Sequence, residues 1–250
     1  MELKNQKILI IGASSGIGKA AAIKLAKEGA RVVLVARSED KLKEVIESCP
    51  GEGHQYFAID VKDEKLLDNA ILAASKDIDE PFTGLVYSAG REGTIPLKFV
   101  KNDLLNDILQ VNTIPAILIT KILQKKGVFA LDGGSIVFIS SVMGNLGQPA
   151  KVAYCMSKGA LVAASKALAL ELAPKKIRVN CISPGMVTTE MSSKVLDSIS
   201  EESILNIKRM HPLGIGNVDD IVNGIQFLLS EKSKWITGID LVIDGGYSAQ

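Results

Sequence analysis

Lys7-Ile8-Leu9-Ile10-Ile11, followed by Gly12-Ala13-Ser14-Ser15-Gly16-Ile17-Gly18, is the stretch on which the fold turns. The first five residues, apolar after Lys7, suit a central strand buried on both faces. The run breaks at glycine, and a helical pattern continues through Lys27 with Ala20, Ala21, Ile23, Leu25 and Ala26 apolar. Strand, glycine turn and helix in that order form a cradle for a dinucleotide. Glycines let a backbone approach closely, and a helix N-terminus offers free N–H groups and partial positive charge to a pyrophosphate. The candidate contacts are Gly12, Ser14, Ser15, Gly16, Ile17 and Gly18. The spacing is G-x-x-x-G-x-G rather than G-x-G-x-x-G, so a plain tight strand–helix connection is the alternative.

Working outward, Gly29-Ala30 closes that helix and Arg31–Val35 forms a second strand, completing a βαβ unit. Ala36-Arg37-Ser38 follows. No carboxylate stands at this strand end to grip a ribose 2′-hydroxyl, whereas Arg37 and Ser38 can both contact a 2′-phosphate. Lys19, Arg31 and Lys41 add cations to the neighbourhood, and the expected cofactor is NADP(H). Ser38 is a candidate cap for a helix over 39–48. The third strand, Gln55–Ile59, ends in Asp60-Val61, where Asp60 either accepts from an adenine amino group or caps the helix near Glu64.

Alternation continues along the chain. Gly84–Tyr87 runs into the small residues Ser88-Ala89-Gly90, and a long helix over 102–125 carries Asn112 at mid-length, where asparagine is a poor helix former. Ser135–Ile139 ends in Ser140-Ser141. A helix from Ala153 to about Leu172 holds Tyr154 and Lys158, and being apolar nearly all round it needs cover on more than one side, as at a subunit interface. Ile177–Ile182 leads to Ser183-Pro184-Gly185. Residues 188–216 are looser and more polar and read as a mobile substrate flap. A helix from Asp219 to Leu229 and a strand from Gly238 to Ile243 finish the chain at Asp244-Gly245-Gly246. The pattern predicts a single α/β domain over 1–250: a Rossmann fold with a doubly wound, mostly parallel seven-stranded sheet and helices on both faces.

Composition narrows the function. Across 250 residues, 47% are hydrophobic and 23% charged, which argues against disorder. A formal net charge of +1 argues against nucleic-acid or membrane-surface partners. The polar start lacks a signal peptide's apolar stretch, and no run is long enough to span a bilayer. Cys49, Cys155 and Cys181 are scattered and odd in number, as expected of reduced thiols in a cytoplasmic protein. With only His54 and His211 as imidazoles, neither a metal site nor a histidine-based triad is expected.

Tyr154 and Lys158 lie four apart, on one helix face. A free phenol ionises near pH ~10, and acid–base work near neutrality needs that lowered by roughly 2 to 3 units. One cation at ~4 Å in an effective dielectric of ~20 supplies about 4 kcal/mol, which suffices if the pair faces a cleft. A core tyrosine beside a solvated lysine is the alternative.

Taken together, Gly12-x-x-x-Gly16-x-Gly18, Asp60, Ser88-Ala89-Gly90, Asn112, Ser141, Tyr154-x-x-x-Lys158, Pro184-Gly185 and Asp244-Gly245-Gly246 resemble the short-chain dehydrogenase/reductase family over essentially the whole chain. Ile11 stands where the family usually has threonine, and Tyr87-Ser88 where it usually has two asparagines. The resemblance implies Tyr154 as general acid–base, with Lys158 lowering its pKa and holding the nicotinamide ribose. It also implies that Ser141, rather than Ser140, bonds the substrate carbonyl and that Asn112 positions a relay water. Asp60, Val61, Ser88, Ala89, Gly90, Pro184, Gly185, Val187 and Thr188 are implied to join the cofactor contacts, Thr188 touching its carboxamide or phosphate. The implied activity is NADPH-dependent reduction of a ketone, within the family most similar to the 3-oxoacyl-[acyl-carrier-protein] reductases. On that reading Lys175 and Lys176 could join a carrier's docking patch or simply be solvated. A sugar, polyol or other secondary-alcohol dehydrogenase is the second reading, because Met143, Cys155 and Met186 identify no ligand class. A non-catalytic dinucleotide-binding regulator is the third. A homotetramer is implied, through the Asn112 and Tyr154 helices and through the C-terminal strand.

Overall fold

A computed structural model describes residues 3–76, 80–197 and 200–249. Seven strands form one sheet: β1 (Lys7–Ile11), β2 (Arg31–Ala36), β3 (Gln55–Ala58), β4 (Gly84–Tyr87), β5 (Gly134–Ile139), β6 (Ile177–Pro184) and β7 (Asp240–Ile243). Their spatial order is β3-β2-β1-β4-β5-β6-β7. Every pairing among these strands is parallel, with Ile8 opposite Val32 on one side and Gly84 on the other. The order reverses at β1, so the crevice beyond the carboxyl ends of β1 and β4 is where an open sheet of this type takes a ligand.

Successive strand residues point to opposite faces, and the core divides accordingly. Leu9, Ile11, Val33, Val35, Leu85, Tyr87 and Phe138 share one apolar cluster. Ile8, Ile10, Val32, Leu34, Val86, Val137 and Ile139 share the other. The first face is covered by α3 (Glu64–Lys76), α5 (Ile114–Leu123) and α6 (Val152–Leu172), the second by α1 (Gly16–Lys27), α2 (Glu39–Glu47) and α9 (Val218–Leu229). At the amino edge of the sheet, the buried ammonium of Lys7 donates to the Ala74 carbonyl at 2.6 Å, near the end of α3, and sits 5.4 Å over the Phe82 ring. A cation suits the negative end of a helix.

Several expectations need correction. The long helix over 102–125 is two: α4 (Asn102–Asn112) and α5, separated at Thr113, whose φ of −130° is not helical. Pro115 is the cause, since it has no N–H to donate four residues back to Val111. The Val111 carbonyl instead accepts from the Tyr87 hydroxyl at 2.5 Å, so Asn112 ends a helix rather than lying within one. Asp60 does not cap α3; it accepts from the Lys62 N–H, and Asp63 accepts from Leu66 at the helix start. Ser38 sits at the N-cap of α2 without a side-chain capping bond. Asn217 caps α9 in a reciprocal box with Asp220. The proposed flap contains two helices, α7 (Glu190–Leu196) and α8 (Glu201–Arg209), and 198–199 lie outside the described residues. Among the described residues, no helix is long and apolar enough to cross a membrane.

Candidate active site

The glycine turn connects β1 to α1 at the switch point. Gly12 has φ +83°, and a Cβ there would stand 2.6 Å from the Ala89 N atom. A Cβ on Gly18 would lie 2.2 Å from the Gly12 carbonyl oxygen. The turn thus packs backbone to backbone against Ser88-Ala89-Gly90, and Ser88 donates its N–H to Ile11 at 2.9 Å. Gly16, with φ +51°, opens α1, and its N–H donates to a Glu190 carboxylate oxygen at 3.0 Å. Ser15, at the N-cap, makes no side-chain capping bond. The Glu190 carboxylate therefore stands in for an anion at the helix N-terminus, the place and charge a pyrophosphate would take. Ser14 and Ile17 are half-buried in the same turn.

Around this cradle, Arg37 is exposed at the end of β2 beside Ser38, and Asp60 and the buried Val61 follow β3. Arg31 is not near them. It begins β2 at the opposite edge of the sheet and pairs with Glu80 at 2.6 Å. Pro184 ends β6, and Gly185 packs so closely on Asp244 that a Cβ would approach its Cα to 2.9 Å. Val187 is buried, and Thr188 is exposed with its N–H bonded to Gly216. Thr189 is the threonine facing the cradle, its methyl 3.5 Å from where a Gly16 Cβ would be.

Tyr154 and Lys158 occupy one face of α6, with Ser141 just beyond β5. The fully buried Asn112 ties these parts together. Its amide donates to Ser157 Oγ at 2.9 Å and to the Arg91 carbonyl at 3.0 Å, and its oxygen accepts from the Arg91 N–H at 2.8 Å. Thr113 donates its hydroxyl to the Ser157 carbonyl. Ser157 in turn donates to the Tyr154 carbonyl. Asn112 and Lys158 meet at Gly90, where a Cβ would lie 3.4 Å from Lys158 Nζ and 3.6 Å from Asn112 Oδ1.

The ammonium of Lys158 donates to the Ile139 carbonyl at 2.8 Å and lies 5.8 Å from the Tyr154 ring centroid. Burial pulls its pKa down to about 8. Burial also holds the Tyr154 phenol above its ordinary value, with hydrogen bonding from Ser141 drawing it back. Removal from water is the largest influence on the phenol. Of the paired serines, Ser140 is buried and donates to the Lys158 carbonyl at 2.9 Å. Ser141 accepts from the Met143 N–H, which leaves its own O–H to donate.

A phenol, a buried ammonium and a hydroxyl beside a dinucleotide cradle are the parts of a hydride-transfer site. Residues 12–248 match the family model described as enoyl-(acyl carrier protein) reductase. The chain belongs to the short-chain dehydrogenase/reductase family. It is 34% identical to D-erythrulose reductase of Gallus gallus, covering 99% of this chain and 97% of that one. It is 30% identical to carbonyl reductase [NADPH] 2 of Sus scrofa, covering 100% and 99%. A putative short-chain alcohol dehydrogenase from Sinorhizobium meliloti superposes with a TM-score of 0.93 at 31% identity, covering 100% and 98%.

This short-chain dehydrogenase/reductase is thus an oxidoreductase acting on CH–OH and C=O groups with a nicotinamide dinucleotide. Its two departures from the family pattern are structural. Ile11 fills the core, and the buried Tyr87 joins β4 to α4. Both histidines are structural as well. His54 accepts from the Val32 N–H, and His211, its ring tilted against that of Tyr247, accepts from the Met186 N–H. Sequence reasoning missed Ser157, Thr189 and Glu190. The one available signal was that Ser157 lies within the Tyr154–Lys158 turn.

Proposed function

We propose that this short-chain dehydrogenase/reductase uses NADP(H) to reduce a ketone to a secondary alcohol, with Tyr154 as proton donor. The observation that carries the reading is Lys158 Nζ 5.8 Å from the Tyr154 ring centroid on α6, with Ser141 close enough to draw the phenol's pKa down, at the sheet edge that holds the glycine cradle. A bound nicotinamide supplies the hydride. Ser141 and Tyr154 donate to the carbonyl oxygen as negative charge develops there, and Tyr154 gives it a proton. The phenolate left behind is stabilised by the nearby Lys158 ammonium. Asn112 positions this machinery through Ser157 and Arg91.

Preference for NADP(H) is supported by Arg37, by the absence of a strand-end carboxylate, and by a Ser38 side chain not engaged in capping. Glu39, the first residue of α2, is paired with Lys43 at 2.9 Å. Titration with both cofactors tests this, and tighter binding of NADH than NADPH overturns it. For the substrate, the matching family model, described as enoyl-(acyl carrier protein) reductase, supports only an acyl group on a carrier, and a 3-oxoacyl thioester is the ketone of that kind. The relatives named D-erythrulose reductase and, at 35% identity, 2,5-dichloro-2,5-cyclohexadiene-1,4-diol dehydrogenase support a polyol or hydroxyketone. Lys175 already donates to Gln124, which weakens the case for a carrier-docking pair. NADPH oxidation followed with a 3-oxoacyl thioester, a cyclic ketone and keto-sugars decides among these. Tyr154→Phe should keep NADPH binding and lose at least ~100-fold in turnover. Full activity in that variant removes Tyr154 as the proton donor, whereas a wild type without turnover on any of these ketones supports the non-catalytic reading.

A further inference from the structure

Lys151, at the N-cap of α6, and Tyr154 and Lys158 within it follow one another at about one-turn intervals. The two ammonium groups stand at nearly equal distance from the tyrosine ring, Lys158 Nζ at 5.8 Å and Lys151 Nζ at 5.9 Å from its centroid. The Lys158 end is closed by the Ile139 carbonyl, Gly90 and Asn112. The Lys151 end is held by the loop after β4. There Lys151 pairs with Glu92, the two side chains only 12% and 22% exposed, and Thr94 donates its hydroxyl to the same Glu92 oxygen. Burial holds the Lys151 ammonium below its ordinary pKa. Glu92 and Thr94 belong to the loop that continues from Ser88-Ala89-Gly90, and that loop is fixed. Asn112 grips the Arg91 backbone on both sides, and the Ile95 N–H donates to Ala150 at 2.8 Å. Ala150 itself adopts φ +65°, an uncommon conformation for a residue with a side chain.

A half-desolvated ion pair adds little to stability, because the cost of leaving water offsets its attraction. Its place beside the reacting phenol is better explained by a ligand. We propose that Lys151, Glu92 and Thr94 form the polar wall of the substrate site and select ketones that carry a hydroxyl next to the carbonyl. One such hydroxyl satisfies both charges, accepting from the ammonium and donating to the carboxylate. An alkyl or acyl chain in the same place strips water from the pair and returns no hydrogen bond. This rests on the ketone-reductase reading above and adds the substrate class.

The test compares kcat/KM for the four-carbon ketose erythrulose and for butan-2-one, with NADPH, in the wild type, Lys151→Met, Lys151→Arg and Glu92→Gln. The ketose-to-butanone ratio should fall at least about tenfold in Lys151→Met and Glu92→Gln, through KM for the ketose. Lys151→Arg, which keeps a cationic donor, should restore most of it. A pair that only braces the loop would lower both ketones together, and an unchanged ratio overturns the proposal. If Lys151→Met does not fold, the near-isosteric Glu92→Gln decides alone. A wild type that prefers butan-2-one overturns this inference while leaving the reductase reading intact, whereas one inactive on every ketone of the panel overturns both.

Discussion

Lys158 shows how a single residue's burial serves the site at a cost to the fold. An unfolded chain keeps that proton up to about pH 10.5, its ordinary value, whereas the native protein releases it near pH 8. The penalty for burying the ammonium is therefore fully present below pH 8 and is relieved as pH rises from 8 to 10.5. A displacement of that size corresponds to about 3 kcal/mol. Compared by urea denaturation at stepped pH, the wild type should gain about 3 kcal/mol on Lys158→Met between pH 7.5 and 10.5. A gap that does not change with pH would show that burial is not the cause. The Tyr154–Lys158 spacing was legible in the sequence because helical geometry alone puts four-apart residues on one face. The division of labour between Ser140 and Ser141 followed only from family resemblance. Strand alternation says that the two hydroxyls point opposite ways, but not which one meets the Lys158 carbonyl.

Between elements, the decisive contact is the Glu190 side chain at the start of α7 resting on the N-terminus of α1. A dinucleotide's phosphates must displace it and then tolerate a carboxylate nearby. Glu190→Gln should therefore bind NADPH about 2- to 5-fold more tightly, the value of one charge at a helix end. Isothermal titration measures this, and weaker binding would mean that Glu190 helps to hold the cofactor. No sequence pattern announces such a contact, because Gly16 and Glu190 are far apart in the chain. The break between α4 and α5 was more accessible, since Pro115 is visible in the sequence and cannot donate to Val111. What could not be read was that Tyr87, from β4, would take the freed carbonyl. The strands themselves were read to within a few residues, since continuous apolar runs bounded by glycine leave few alternatives.

At the level of the whole molecule, the parallel sheet puts every strand's carboxyl end on one edge, which is why residues as distant as Gly12, Ser88, Ser141 and Gly185 converge. The same arrangement leaves β7 as an outer strand, and close by in sequence Trp235 is 96% exposed, with Ile239 and Val242 also open. On α6, Leu170 is 79% exposed. Apolar side chains left open in this way fit the proposed homotetramer. Light scattering should report a mass of four chains, and Val242→Asp on the outer strand should reduce it; a wild-type monomer refutes the assembly. The Asn112 amide, which closes a ring with both backbone groups of Arg91, has a consequence at the same scale. It treats a stretch of loop as if it were the next strand of a sheet. In deuterium exchange the Arg91 amide should keep its proton as long as the centre of β1 does, so that its slow exchange, in a segment without regular structure, reports the unfolding of the entire molecule.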